Sequence, residues 1–322
     1  MTPVTDGVVF SIPMVTRFRG ITVREGAIIE GEAGWGEWSP FLDYDSRVAE
    51  PWLRCAEEAA AGDWPAPLRS SIPVNAIVPV VPPEQAHAIV VGSGCATAKV
   101  KVADPGAPLA DDLARVEAVR DALGPGGRVR VDANGAWSVD EAVTALRALD
   151  RAAGGLEYAE QPCAAVEDLA LVRRRVEVPI AADESIRRAE DPYRVRDLEA
   201  ADIAVLKVQP LGGVRACLRI AEDIGLPVVV SSALETSIGL AAGVALAAAL
   251  PSLDHACGLA TRSLLTEDVT RDRLIPVDGM LPVRVTEVDD SLLDLVAAPA
   301  DRVAWWEQHL AAVLAVRKDR RP

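Results

Sequence analysis

Short apolar runs alternate along the middle of the chain with longer stretches rich in alanine, leucine, arginine and glutamate. The apolar runs are dominated by β-branched residues, which is typical of buried strands. The longer stretches have the length and composition of helices. Eight strands are predicted, at residues 74–80, 97–102, 128–133, 155–160, 178–184, 201–208, 226–232 and 255–260.

Strands that alternate with helices predict βαβ units and a parallel sheet. Eight such units, with strands apolar on both faces, favour a closed barrel over an open sheet. The fold class expected is therefore α/β, with a parallel (β/α)7β-type barrel. The helices predicted between the strands are Leu109–Leu123, Val139–Arg151, Val166–Arg175, Pro192–Leu198, Gly213–Ile224 and Thr236–Leu250.

The two ends of the chain have a different pattern. Residues 8–40 alternate as antiparallel hairpins do, with a turn expected at Arg24–Gly26, and a helix is predicted over Trp52–Ala61. We predict an α+β capping domain over residues 1–70, which residues 282–322 rejoin. The barrel that carries the active site is predicted over residues 71–281.

Charge and cysteine content narrow the function classes. The formal net charge of −15 argues against nucleic acid and anionic membranes as partners. Five cysteines without a C-x-x-C pair disfavour a disulfide framework or a cysteine zinc site. The N-terminus shows no secretory signal, and the longest apolar stretch, Ile238–Leu250, is too short to span a bilayer. A cytoplasmic protein is therefore predicted, with no expectation about its oligomeric state.

Acidic residues close three successive predicted strands, where a parallel barrel places its active site. Asp132, Glu160 and Asp183 are 28 and 23 residues apart, about one βα unit each. Because neighbouring barrel strands lie ~5 Å apart, the three carboxylates should converge, and a divalent cation would relieve their repulsion. An oxygen-only site favours Mg²⁺, for which Mn²⁺ can substitute.

Lysines flank these acids. Lys99 and Lys101 are two apart on one predicted strand and therefore share a face, while Lys207 ends a strand across the barrel. Ammonium groups inside an apolar barrel are costly unless they have a task, and each should lower the pKa of its neighbour. The predicted task is removal of a proton α to a carboxylate held by the metal, which stabilises the resulting enediolate. The expected partner is a small-molecule carboxylate substrate.

An ordered set of motifs resembles the muconate-lactonizing subgroup of the enolase superfamily. Within that subgroup, S-S-A-L-E-T-S-I-G at 231–239 and G-L-A-T at 258–261 are most similar to the o-succinylbenzoate synthase family. The resemblance covers most of the chain. The other motifs are K-x-K (99–101), V-D-A-N-x-A-W (131–137), E-Q-P (160–162), A-D-E-S (182–185), L-K-x-x-x-x-G-G (206–213) and G-W-G-E-x-S-P (34–40).

The resemblance implies a reaction and the roles of six residues. The reaction is the syn dehydration of 2-succinyl-6-hydroxy-2,4-cyclohexadiene-1-carboxylate to 2-succinylbenzoate in menaquinone biosynthesis. Lys101 would take the α-proton and return it to the departing hydroxyl. Lys207 would stabilise the enediolate as a cation, and Lys99 would assist Lys101. The implied magnesium ligands are Asp132, Glu160 and Asp183.

The resemblance also implies a substrate pocket. Ser231, Ser232 and Gly258 would line the part of it that holds the succinyl arm. Arg130, two residues before Asp132, would face the same side and orient Lys101. The capping-domain loop near Phe18–Ile21 would close over the substrate.

Two other activities stay open. An N-succinylamino acid racemase uses the same two lysines and the same succinyl pocket, and muconate cycloisomerase is a further relative. The eighth predicted strand lacks the D-x-D that marks the similar dipeptide epimerases. A non-catalytic scaffold is disfavoured, because it has no reason to keep lysines and acids together in a cleft.

Overall fold

A computed structural model describes residues 7–187 and 191–319. The expected absence of a secretory signal depends partly on residues 1–6, which lie outside the described residues. The described chain builds a three-stranded antiparallel sheet and a seven-stranded parallel sheet, joined by helices. The α/β class predicted from the alternating pattern is confirmed.

The capping region begins with an antiparallel meander. The expected turn at Arg24–Gly26 is wrong, because the chain reverses at Arg19–Gly20, where φ is positive at both residues. Such residues suit a two-residue hairpin, and Phe18 pairs with Ile21 across it. Arg24 therefore lies inside a strand. The elements are β1 (Val8–Phe18), β2 (Ile21–Gly31), β3 (Gly34–Trp38) and helix α1 (Ser46–Ala60).

Seven parallel strands follow in the order of the chain, each beside the next. Their register brings the carboxyl ends of neighbouring strands to one edge, where a barrel carries its chemistry. A short strand, β4 (Ser71–Pro73), precedes them. The seven are β5 (Ala76–Val78), β6 (Thr97–Lys101), β7 (Arg128–Asp132), β8 (Leu156–Glu160), β9 (Ile180–Ala182), β10 (Ile203–Lys207) and β11 (Val228–Ser231).

The eighth expected strand, residues 255–260, is reduced to two single bridges. Cys257 pairs with Val74 and Gly258 pairs with Ser231, so these residues connect the two ends of the sheet. A Cβ atom on Gly258 would lie 2.7 Å from Ser231 Oγ. Glycine is therefore what allows this close approach.

Each of the six predicted helices is present within a few residues of its expected bounds. Helices α2 and α7 were not predicted. Helix α9 is apolar around its circumference and almost wholly buried, as expected for a helix covered on every face. The helices are α2 (Pro83–Ser93), α3 (Leu109–Leu123), α4 (Val139–Ala153), α5 (Val166–Arg173), α6 (Asp191–Asp197), α7 (Val208–Leu211), α8 (Val214–Ile224) and α9 (Ser237–Ala249).

The C-terminal part adds β12 (Met280–Pro282), which pairs with β4, and helices α10 (Asp290–Leu295) and α11 (Ala300–Asp319). Helix α11 packs on the capping region, where the rings of Trp306 and Trp38 meet edge to face at 5.2 Å. Among the described residues, no helix has both the length and the apolar character that crossing a membrane requires. The domain boundaries at residues 70 and 282 stay predictions.

Candidate active site

The register of the sheet aligns charged residues at one edge. Lys101 pairs with Asp132, and Asp132 pairs with Glu160, so three neighbouring strands end on one charged row. Asp183 directly follows β9, and Lys207 is the last residue of β10. The three predicted acids and the two outer lysines thus come from five consecutive strands.

Lysine ammonium groups pair with the carboxylates at hydrogen-bond distance. Lys99 Nζ lies 2.6 Å from Glu160 Oε1 and 3.2 Å from Asp132 Oδ2. Lys101 Nζ lies 2.6 Å from the same Asp132 oxygen, and Lys207 Nζ bonds both oxygens of Asp183. All three acids are buried. The structure therefore brings the predicted acids and lysines together at one edge of the sheet as a charge cluster. Lys99, Lys101, Asp132 and Glu160 are linked to one another, and Lys207 and Asp183 form a second pair.

Two amides hold the ends of these strands in place. Gln161 Oε1 accepts the backbone N–H of Asp183 at 2.9 Å and that of Ser185 at 3.2 Å, and its Nε2 donates to Ser185 Oγ. Asn134 accepts from Lys101 Nζ at 2.7 Å. Both residues have a positive φ. Asn adopts this backbone conformation without much cost, whereas for Gln it is strained. The Gln161 strain is held by its buried hydrogen bonds.

The cluster shifts the pKa values of its members in different directions. Burial favours protonation of Asp132, but Lys101 and Lys99 outweigh it and hold the pKa of that carboxyl well below its usual range. Burial lowers the pKa of Lys99, but Glu160 and Asp132 outweigh burial and raise it. The expectation that like charge lowers the pKa of Lys99 is therefore wrong, because its closest neighbours are anions.

Two further groups of the cluster have shifts of their own. Burial, with the nearby Asp132 charge, raises the pKa of Glu160 to about 7, although Lys99 opposes the shift. Burial lowers the pKa of Lys207, although Asp183 opposes this. A buried lysine with a lowered pKa exchanges protons more readily near neutral pH than an exposed one.

The donor set fits a hard divalent cation. It offers carboxylate oxygens only, and Glu160 Oε2 is buried and accepts no hydrogen bond from the described residues. Carboxylate oxygens are the ligands Mg²⁺ prefers. In residues 7–187 and 191–319 no three acidic, histidine or cysteine side chains are placed so that they could hold a metal ion as they stand, and ammonium groups of the three lysines hydrogen-bond the acids instead.

A cavity of about 830 Å³ opens over the cluster. The barrel contributes Lys99, Lys101, Asp132, Asp183 and Lys207 to its wall. The cavity is large enough for a small organic substrate. The capping region contributes Arg17, Phe18, Arg19, Gly20, Phe41, Tyr44 and Trp52.

The predicted pocket residues divide between the cavity and a layer below it. Ser231, Ser232 and Gly258 line the cavity. Arg130 is fully buried and pairs in register with Lys99 rather than with Lys101. Its guanidinium bonds Glu157 at 2.5 Å, Asn75 and the Ala256 carbonyl, and it lies 4.6 Å from the Tyr158 ring.

The structure thus brings Arg130 into an ion-pair network beneath the cavity. Its substrate-binding role stays a prediction. Arg130 lies below the cavity and not in its wall for a geometric reason. A residue two positions before Asp132 is on the same face of the strand as Asp132 but lies one level lower in the barrel.

Three arginines line the cavity, Arg17, Arg19 and Arg187, and none of them was predicted as a site residue. Arg19 stacks over the Phe41 ring at 3.7 Å and donates to Tyr44 Oη at 2.9 Å. Arg187 donates to Glu184 at 2.6 Å and lies 3.3 Å from Asp183. The scarcity of lysine could have indicated the site as a whole. Only four of the 33 basic residues are lysines, and three of these four are in the cluster.

The fold and the cluster define a class: a β/α-barrel enzyme with acids and lysines at the carboxyl ends of its strands. Two family models match the chain. The model described as enolase C-terminal domain-like matches residues 83–286, and the one described as enolase N-terminal domain-like matches residues 9–60.

Similar proteins narrow the class. The chain is 64% identical to the o-succinylbenzoate synthase of Thermobifida fusca over 96% of both chains. It is 55% identical to that of Mycolicibacterium smegmatis over 94% of both. The chain therefore belongs to the enolase superfamily and, within it, to the family of the o-succinylbenzoate synthases.

Solved structures agree in fold. The muconate lactonizing enzyme from Pseudomonas fluorescens, complexed with muconolactone, superposes with a TM-score of 0.79. It is 22% identical, and the match covers 91% of this chain and 98% of that one. The L-Ala-D/L-Glu epimerase from Bacillus subtilis superposes with a TM-score of 0.76 at 23% identity, over 88% and 96%. At these identities the likeness concerns the fold alone.

Proposed function

We propose that the chain is an o-succinylbenzoate synthase, a lyase that dehydrates 2-succinyl-6-hydroxy-2,4-cyclohexadiene-1-carboxylate to 2-succinylbenzoate in menaquinone biosynthesis. The observation that carries the proposal is the 64% identity over 96% of both chains with a relative of that name. The cavity supports it, because lysines from β6 and β10 border one space together with two of the three acids, Asp132 and Asp183.

Proton transfer falls to Lys101 in this proposal. Its Nζ is in the cavity wall and is held by Asp132 and Asn134. Lys101 removes the proton α to the substrate carboxylate and then delivers it to the hydroxyl on the same face, which leaves as water. Lys207 acts from the opposite side as a cation that stabilises the charge developed on the substrate, and Lys99 supports Lys101.

Asp132, Glu160 and Asp183 would hold Mg²⁺, or Mn²⁺ in its place. When bound, the ion supplies a Lewis acid that stabilises negative charge on the substrate carboxylate. The ammonium groups of Lys99 and Lys207 neutralise part of the charge of these acids, so the acids tolerate each other in a buried site.

The succinyl arm is proposed to lie along Ser231, Ser232 and Gly258. The hydroxyl of Ser232 lies 2.6 Å from Thr261 Oγ1, which fixes its position. The arm ends in a second carboxylate, and the capping region adds two cations, Arg17 and Arg19, to the cavity wall. These cations suit a dianionic substrate despite the acidic chain.

The assay that tests the proposal follows the disappearance of the diene absorbance on addition of the cyclohexadiene carboxylate. We expect the substrate to be converted to 2-succinylbenzoate in the presence of Mg²⁺. After the metal is removed with a chelator, the rate should be about 100-fold lower. Persistent conversion in excess chelator would show that the reaction does not depend on a metal ion. No conversion in the presence of Mg²⁺ would show that the proposed substrate is wrong.

The racemase alternative predicts a different response to Lys207→Arg. In racemisation both lysines must exchange protons, whereas in dehydration Lys207 need only be a cation. Arginine stays charged but exchanges no proton at working pH. We therefore expect Lys207→Arg to keep part of the dehydration and to lose racemisation of N-succinylamino acids, because the remaining lysine can exchange the α-proton on one face only. Loss of both activities would contradict the role given to Lys207.

Three further assignments accompany the proposal. Residues 1–70 and 282–322 are proposed as the capping domain and residues 71–281 as the barrel, supported by the packing of α11 on the capping sheet. Cytoplasmic location is proposed because all five cysteines are free and buried. The proposed partner is a small-molecule carboxylate.

A further inference from the structure

A buried carboxylate of the capping meander caps a barrel helix. Glu37, on β3, is 2% exposed. Its Oε2 accepts from Thr236 N at 3.0 Å, Thr236 Oγ1 at 2.5 Å and Gly239 N at 3.2 Å. These donors lie at the start of α9, where the backbone N–H groups attract a negative charge. A Cβ on Gly239 would lie 2.8 Å from the same oxygen, so glycine leaves room for the carboxylate.

A buried cation of the same meander holds the segment before that helix. Arg24, on β2, donates through Nε to the Leu234 carbonyl at 3.1 Å and through Nη2 to the Ala233 carbonyl at 3.3 Å. Ser39 connects the two charges, because its Oγ donates to Glu37 at 2.6 Å and accepts from Arg24 at 2.9 Å.

The segment held in this way is part of the cavity wall. Residues 231–234 all line the cavity, and Leu234 has a φ of 69°, a left-handed conformation that costs energy in a leucine. Ala233 and Leu234 are buried in the same hydrophobic cluster as Trp38 and Trp52 of the capping region. The wall segment is therefore anchored to the capping region by both packing and polar contacts.

The polar contacts favour a charged Glu37. Four hydrogen bonds point at its two oxygens, so an amide in its place would direct an N–H₂ group at donors. Burial raises the pKa of Glu37 to about 7, and Arg24 opposes the shift. Replacement by glutamine preserves the shape but removes the negative charge that faces Arg24 and the start of α9, and it turns an N–H₂ group toward either the Ser39 hydroxyl or the α9 donors.

We infer that Glu37 and Arg24 are positioning residues that set the substrate-binding wall at residues 231–234 from the capping domain. The inference rests on the proposed function. Neither residue lines the cavity, so their effect on substrate must pass through the wall segment.

A matched control exists on the neighbouring helix. Glu58, on α1, accepts from Val214 N at 2.5 Å and from Arg215 N at 3.1 Å, so it caps α8 from the capping region as Glu37 caps α9. Glu58 has no hydrogen bond to residues 231–236 within the described chain. If Glu37 only held the capping region against the barrel, the two glutamine variants should affect substrate binding equally.

The experiment compares Glu37→Gln with Glu58→Gln by steady-state kinetics at saturating Mg²⁺. We expect Glu37→Gln to raise KM about tenfold, with kcat within about threefold of the wild type. Glu58→Gln should leave KM within about twofold, even if its Tm falls equally. An unchanged KM in Glu37→Gln, or an equal KM rise in both variants, would overturn the inference.

Two additions keep the test decisive. If Glu37→Gln does not fold, Ser39→Ala removes the hydroxyl that connects Glu37 and Arg24, and we expect a KM rise of about threefold. Calorimetric titration with 2-succinylbenzoate reports binding without turnover. A wild type that neither converts the substrate nor binds this product refutes the proposed function. A wild type that does both, beside variants with normal KM and affinity, refutes only the inference.

Discussion

Lys101→Ala is expected to lower kcat for dehydration by about 10⁴-fold, the upper end of what a positioned acid–base group contributes. In our proposal Lys101 performs both proton transfers, so alanine removes the base and the acid together. Its Nζ lies 2.6 Å from Asp132 Oδ2 and 5.3 Å from the centroid of the Phe18 ring, at the junction of barrel and capping loop. The rate is measured under single-turnover conditions, so that substrate binding and chemistry are separated.

A second lysine variant, Lys318→Ala, serves as the control for Lys101→Ala. Lys318 is exposed on α11 and is the one lysine of the chain outside the cluster. Lys318→Ala should match the wild type in rate. Lys101→Ala should keep the far-ultraviolet circular dichroism of the wild type, because Asp132 retains Lys99 at 3.2 Å. A loss of less than about tenfold would remove Lys101 from the proton-transfer role.

Much of the barrel could be predicted from the sequence because its signals are local. The apolar runs and helical stretches repeat with the βα period, and helix α3 spans Leu109–Leu123 as predicted. Strand-end positions then follow from topology, so the residue pattern alone was enough to place Asp132, Glu160 and Asp183 at one edge of the sheet. The eighth strand was overestimated, because an apolar run such as residues 255–260 also suits a segment that makes only two bridges.

Long-range contacts could not be predicted in the same way. Glu37 and Gly239 are 202 residues apart, and nothing in either local pattern indicates their hydrogen bond. The positions of Arg19 and Arg187 in the cavity depend on how the capping region and the loop after β9 settle against the barrel. Arg130 shows a subtler limit, since its face was predicted correctly but its level within the barrel depends on the register with Lys99.

Glu160→Gln is the second variant with a large expected effect. Glutamine keeps the shape of the side chain and removes one negative charge from the proposed magnesium set. Mutation of a residue that hydrogen-bonds a metal ligand lowers metal affinity or activity about 10–100-fold. Loss of the charge on a ligand itself should have a larger effect, and we expect Mg²⁺-dependent activity to fall by about 10³-fold or more. We expect the fold to survive, because Lys99 can still donate to the amide oxygen at the position of Glu160 Oε1, 2.6 Å away.

A binding measurement separates the metal site from the chemistry. Mg²⁺ at about 100 times its Kd should stabilise the wild type by about 2.7 kcal/mol, which appears as a rise in Tm. Glu160→Gln should lose this rise. Glu184→Gln is the control, because Glu184 accepts from Arg187 at 2.6 Å and from Asn134 at 3.2 Å and should retain the rise. If Glu160→Gln keeps the full rise while Glu184→Gln loses it, the ion is held by the residue after Asp183, and the proposed ligand set is wrong at Glu160.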